Sequence, residues 1–143
     1  MMELIIRNVD INDSFAISSL SGQLGYESEV MSIEKRISGI LKNPDHCIFV
    51  AEQNGIIIGW IHGLYSIRVE SDAFIEIGGL IVDENKRRRG VGKQLVETVS
   101  LWAKSFNCSN IRVRCNIKRV ESHKFYESIG FSLNKEQKVF DKN

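Results

Sequence analysis

The chain is poor in proline and cysteine. Pro44 is the only proline in 143 residues, so glycine and asparagine must mark most turns and element ends. The three cysteines, Cys47, Cys108 and Cys115, form neither a CxxC pair nor a Cys/His ligand spacing. That pattern disfavours a disulfide framework and a zinc site, and leads to the expectation of reduced thiols in a cytoplasmic protein without a metal. No apolar run approaches the roughly 18 residues of a membrane span. The opening MMELIIRNVD lacks a signal-peptide pattern, so neither export nor anchoring is expected. An excess of one charge is also missing. With 19 Lys and Arg against 18 Asp and Glu, the net charge of +1 argues against a nucleic-acid coat or a polybasic membrane binder. Repeats, low-complexity tracts and Pro/Gly/Ser linkers are absent, so residues 1–143 read as one domain.

What is present is alternating punctuation and periodicity. ELIIRNV predicts a strand, and Asp10 or Asn12 predicts the cap of a helix running to about Leu20. After SGQLGYESE, apolar positions Val30, Ile33, Ile37, Ile40 and Leu41 recur at helical spacing, stopped by Asn43 and Pro44. HCIFVAEQNGIIIGWIHGLY predicts two strands joined at Asn54-Gly55, because both residues of that pair tolerate positive φ. FIEIGGLIV predicts a third long strand, in which adjacent Gly78 and Gly79 suggest a bulge or a close approach. Val91, Leu95, Val99, Trp102, Ala103 and Phe106 predict a helix ended by Asn107. A strand at IRVRCN, a helix at ESHKFYESIG ended by Gly130, and a last strand pair or hairpin in FSLNKEQKVFDK complete the chain. The order β, α, α, β, β, β, α, β, α, β, β predicts one parallel pair, across the helix after Gly90, inside an otherwise antiparallel sheet.

KRRRGVGKQL, residues 86–95, places cations and two glycines at the start of a helix. A helix N-terminus exposes unpaired N–H groups and partial positive charge, and glycines let an anion approach the backbone closely. Arg87, Arg88, Arg89 and Lys93 around Gly90 and Gly92 suit a diphosphate. A basic, solvated loop explains the same residues. A Walker loop fails because Gln94 follows Lys93, and a Rossmann fingerprint fails because Leu95 stands at the third glycine position.

RRRGVGK resembles the acyl-CoA motif of the GNAT family, the GCN5-related N-acetyltransferases, with Arg87, Gly90 and Gly92 at its defining positions. The resemblance extends through GGLIVDENKRRRGVGKQL and through FYESIGF, Phe125 to Phe131, preceded by Asn116; the specific match runs from Phe74 to Phe131. It implies an α/β GNAT-like acyl-CoA N-acyltransferase fold: a mixed, mostly antiparallel sheet with one splayed parallel pair, flanked by about four helices. It implies acetyl transfer from acetyl-CoA to a primary amine by direct attack in a ternary complex, with no metal. By the same resemblance, the backbone of Leu80, Ile81 and Val82 binds the pantetheine arm and acetyl carbonyl. Arg87, Arg88, Arg89, Gly90, Val91, Gly92 and Lys93 surround the pyrophosphate, Asn116 binds the pantetheine or phosphate arm, and Tyr126 hydrogen-bonds or protonates the CoA sulfur.

Amine attack on a thioester needs a base, because an alkylamine is mostly protonated at neutral pH. Glu76 is the candidate, as the only ionisable residue of FIEIGGLIV; a solvent-facing strand residue is the other reading. Tyr126 is the candidate acid or sulfur donor, set a quarter turn from the Phe125/Ile129 stripe, with a packed aromatic as the alternative. His62 and His123 lack a partner spacing for a nucleophilic triad, Cys115 reads as a structural thiol, and Trp60 and Tyr65 fit an acceptor pocket or a core equally. The acceptor is a small-molecule or peptide amine; Tyr26, Glu27 and Glu29 suit a cationic one, and a solvated acidic loop explains the same residues. A non-catalytic acyl-CoA-binding regulatory module is the alternative function, and nucleic-acid binding through residues 86–89 a remoter one. The C-terminal segment is compatible with pairing across a homodimer.

Overall fold

The computed structural model describes residues 3–23, 29–87 and 89–143. The chain clusters into two compact units, one ending at Val113 and a second comprising Arg114–Asn143.

The first unit is built on a five-stranded sheet in the order β1-β2-β3-β4-β5, with β1 at Leu4–Asn8, β2 at His46–Gln53, β3 at Ile56–Ser66, β4 at Phe74–Val82 and β5 at Ile111–Val113. Neighbours are antiparallel except β4 and β5, the expected parallel pair, where Ile75, Glu76 and Ile77 oppose Ile111, Arg112 and Val113. The β2–β3 hairpin turns at Asn54 and Gly55, with φ of 52° and 76°, which both residues tolerate.

Asp10 caps the first helical turn through its side chain and is answered by Asp13 in a capping box, after which α1 runs Ser14–Gly22. Helix α2, Val30–Leu41, buries Ile33 and Ile37. Both helices cover the sheet face carrying Ile48, Val50 and Trp60, where Val9, Ile17, Ile33 and Ile37 close a core. The opposite face receives α3, Val91–Ala103, which buries Leu95 and Val99. A Cβ on Gly59 would stand 3.3 Å from the Leu95 side chain, and one on Gly63 would stand 3.1 Å from Val99. The helix tightens through Lys104–Phe106 and ends at Asn107, whose φ of 52° is the expected left-handed stop.

The second unit holds α4, Val120–Ser128, followed by Gly130 at φ 104°. The expected strand pair after it is corrected: residues 131–143 have no regular structure and expose Leu133, Val139 and Phe140. A strand requires a hydrogen-bonding edge, and this segment, with apolar residues only at scattered positions, pairs with none among the described residues. The strand expected over IRVRCN is also shorter than its pattern, ending at Val113. Among the described residues, no helix is long and apolar enough to cross a membrane.

Candidate active site

The glycine pair of FIEIGGLIV is a bulge. His62 of β3 opposes Gly79, whereas the next residue, Gly63, opposes Ile77, so Gly78 is the extra residue of β4. The pairing of β4 with β5 stops at Ile77–Val113, just before that bulge. From Gly78 to Val82, β4 therefore has a strand partner on one side only among the described residues, and its other edge is open to pair with an extended ligand. Leu80, Ile81 and Val82 occupy this segment, with the Ile81 side chain buried and the other two half-buried.

The chain then runs into the basic loop. Asp83 accepts from the Asn85 N–H at 3.1 Å and caps a single turn over Glu84–Lys86. Arg87 reaches back, its Nε donating to the Val82 carbonyl at 3.1 Å. Arg89 is exposed, while Arg88 lies outside the described residues. Gly90 caps α3 in the left-handed conformation at φ 80°, where a Cβ would meet nothing of the described residues within 4 Å but would strain the backbone. The first N–H to bond within the helix is that of Gln94, to the Gly90 carbonyl at 3.0 Å. The N–H groups of Val91, Gly92 and Lys93 precede it in the first turn, whose partial positive charge attracts anions. Val91 and Gly92 are buried and Lys93 is exposed.

Glu76 is half-buried on the sheet face carrying α1 and α2, opposite Leu64 of β3 and Arg112 of β5. The Arg112 guanidinium stacks 4.2 Å from the centre of the buried Phe74 ring. Trp60, on the same face, packs against the core and fills the space over Gly79. Tyr65, on the other face, stacks on Phe106 at 4.6 Å.

Sequence reasoning overlooked one cluster. His46 Nδ1 lies 2.9 Å from His62 Nε2, and the rings stack with centroids 5.1 Å apart. Burial, and secondarily the charge of His46, pushes the His62 imidazole down to about 4, so it is neutral at physiological pH. Burial likewise pushes the Cys47 thiol up to about 12 and leaves it inert.

Within the second unit, Tyr126 on α4 packs edge-to-face with Phe125 at 5.1 Å and Phe131 at 5.4 Å. Burial, then the nearby Cys115, raises its phenol well above the ordinary value and keeps it a proton-bearing donor. Burial also raises the Cys115 thiol. Asn116 does not end a strand. Its Oδ1 accepts from the Lys118 N–H at 2.9 Å, and its carbonyl receives the Arg119 N–H at 2.9 Å and lies 3.0 Å from His123 Nε2, so it shapes the turn into α4. No cluster of three His, Cys, Asp or Glu side chains suited to a metal occurs among the described residues.

Comparison with known proteins agrees with this geometry. Over 91 residues the chain is 31% identical to N-acetylaspartate synthetase of Xenopus tropicalis, covering 64% of this chain but only 32% of that protein. It is 27% identical over 116 residues to an aminoglycoside N(6')-acetyltransferase type 1 of Acinetobacter haemolyticus, covering 81% of this chain and 77% of that one. The chain thus spans about a third of the length of the first relative and most of the second. The aminoglycoside N-acetyltransferase AAC(6')-Iy, solved in complex with CoA, superposes with a TM-score of 0.89 at 20% identity, over 99% of this chain and 96% of that one. The sequence profile of the Acetyltransferase (GNAT) family matches residues 14–131. With a bulged β4, a short parallel β5 and a glycine-capped α3 in the order that profile spans, the chain belongs to the GNAT acetyltransferase family.

Proposed function

We propose that the protein transfers the acetyl group of acetyl-CoA to a primary amine by direct attack in a ternary complex. The observation that carries this reading is the edge of β4 after Gly78, which has no strand partner among the described residues and leads into the first-turn N–H groups of an α3 capped by Gly90. The strand edge offers backbone partners to the amides of a pantetheine arm, through Leu80, Ile81 and Val82. A backbone N–H directed at the thioester oxygen stabilises the tetrahedral oxyanion. Val91, Gly92 and Lys93, with Arg87, Arg88 and Arg89, take the pyrophosphate.

Glu76 draws in the acceptor ammonium and receives its proton, directly or through water. Nitrogen then bonds to the acetyl carbon, the carbon–sulfur bond breaks, and Tyr126 donates a hydrogen bond or its proton to the departing thiolate. Because its pKa is raised, the phenol serves better as a hydrogen-bond donor than as a strong acid. Asn116, whose side chain is engaged in its own turn, reaches CoA through its backbone or after releasing Lys118.

The relatives are named for an amino acid and for aminoglycosides, which supports a small-molecule amine as acceptor. The reduced thiols support a cytoplasmic setting. The exposed Leu133, Val139 and Phe140 support pairing of the C-terminal segment with a second copy, which sedimentation of the full chain checks. Isothermal titration with acetyl-CoA, CoA and ATP tests the reading first, followed by an amine screen read by thiol release. Binding of acetyl-CoA but not ATP, with turnover of one amine, is expected. Binding without turnover of any amine would favour a regulatory acyl-CoA-binding module, and no binding at all would overturn both.

A further inference from the structure

The histidine pair lies beside the bulge and is unused by the mechanism above. His46 and His62 project from the same sheet face, because His46 opposes Leu64 and Ile48 opposes His62. A 2.9 Å contact between two imidazole nitrogens requires a proton on one and a lone pair on the other. The remaining nitrogen of the inner ring, His62 Nδ1, lies 2.9 Å from where a Cβ would stand on Gly78. A side chain at the bulge would press on that nitrogen. At the other end, His46 lines an open groove of about 560 Å³ beside Lys35, Arg36 and Asn43 of the α2 end. Two rings in hydrogen-bond contact thus connect the bulge in β4 to an open groove.

We propose that the His62–His46 pair is the proton outlet of the transfer reaction. His62 Nδ1 takes the proton that Glu76 has received from the amine, directly or through an intervening water. The His62 Nε2 proton passes to His46 Nδ1, and His46 gives its Nε2 proton to water in the groove. Each ring gains one proton and loses one, and exchange with solvent restores the starting tautomers. The amine nitrogen meanwhile gains the acetyl carbon, and the sulfur leaves with the electron pair of the broken bond. A relay of this kind does not require His62 to hold a proton, which fits an imidazole kept neutral by its surroundings.

Charged groups border both ends of the pair. Glu76 of β4 shares its face and draws the cationic amine, and Arg112 of β5 stands across from Glu76. Lys35 and Arg36 of α2 border the groove that His46 lines. Arg7 and Asp13, further along that face, are bound to each other through two contacts of 2.8 and 2.9 Å.

The inference rests on the acetyl-transfer reading, and its test separates the two. For His62→Gln and His46→Gln, acetyl-CoA affinity is measured by titration and kcat against pH with whichever of aspartate, glucosamine, neamine and spermidine is turned over fastest. His62→Gln is expected to lower kcat about 100-fold and His46→Gln about 10-fold, with acetyl-CoA affinity unchanged and the ascending limb of the pH profile displaced. Imidazole added to His62→Ala restores part of the rate. Histidine nitrogen-15 NMR of the wild-type protein shows two coupled rings, one still neutral at pH 5, and His46→Gln alters the tautomer of His62. Variants within threefold of wild type with an unchanged profile, or two rings titrating independently near the free-histidine value, would overturn the relay. The NMR arm decides the pair even if no amine is acetylated, in which case it is the acetyl-transfer reading that fails.

Discussion

The ring of Trp60 occupies the space that a side chain on Gly79 would need: a Cβ there would stand 2.7 Å from Trp60 Cη2. Trp60 also belongs to the packing of the α1/α2 core, so the glycine of the bulge and the core behind it are one steric unit.

Gly79→Ala must displace an indole that other side chains hold. The expected cost is about 1–3 kcal/mol, the usual range for overpacking. Urea unfolding followed by tryptophan fluorescence measures it; a variant as stable as wild type would mean that Trp60 moves freely.

Gly90→Ala tests the loop without a clash among the described residues, none of whose atoms lies within 4 Å of the added Cβ. The penalty is conformational: a φ of 80° costs an L-residue about 1–2 kcal/mol. Acetyl-CoA affinity should fall several-fold as the first turn of α3 shifts, whereas loss of stability with full affinity would detach the turn from the anion site.

Tyr126→Phe removes a phenol held neutral by burial and leaves its two ring contacts. A fall of about 10- to 100-fold in kcat is expected, with melting temperature nearly unchanged. Since the phenol pKa is raised, no alkaline loss of rate below pH 10 should trace to this residue. Unchanged kcat would return Tyr126 to a packing role.

Acid should weaken the fold in two stages. The folded His62 titrates near 4 and the unfolded one near 6.5, so the unfolded chain binds more protons in that window and stability declines as pH falls through it. The loss is about 1–3 kcal/mol after allowance for the partial exposure of the ring. Burial alone would raise the Asp13 carboxyl, but the paired hydrogen bonds from Arg7 and one from the Asp10 N–H outweigh it and hold it low. Its contribution is therefore present above the ordinary aspartate range and vanishes at still lower pH. Denaturation midpoints from pH 7 to 3 should show both stages in wild type, only the lower one in His62→Gln, and only the upper one in Asp13→Asn.

Local chemistry made much of the fold legible. Asn54-Gly55 announced its hairpin, Asn107 and Gly130 their helix ends, and the stripe from Val91 to Phe106 its helix, because each depends on the φ preference or spacing of a few neighbouring residues. The glycine pair announced a bulge for the same reason. That the C-terminal segment forms no strands was not legible, since a pattern that tolerates extension does not supply an edge to pair with. Asn116 was displaced from its expected strand end because β5 stops at Val113, where parallel pairing with β4 is lost.

The sequence by itself determined the order of elements, the anion-attracting start of α3 and the family to which the chain belongs, all of which are written in contiguous residues. Tertiary structure alone decided what faces the bulge. A second bulge, at Ile58 in β3, shifts the β2–β3 register between Ala51 and Glu52 by one residue. An unbroken hairpin from Asn54-Gly55 would have sent His46 and His62 to opposite faces of the sheet, because each one-residue slip exchanges the two faces. That single inserted residue brings their nitrogens to 2.9 Å, and no period in the sequence encodes it.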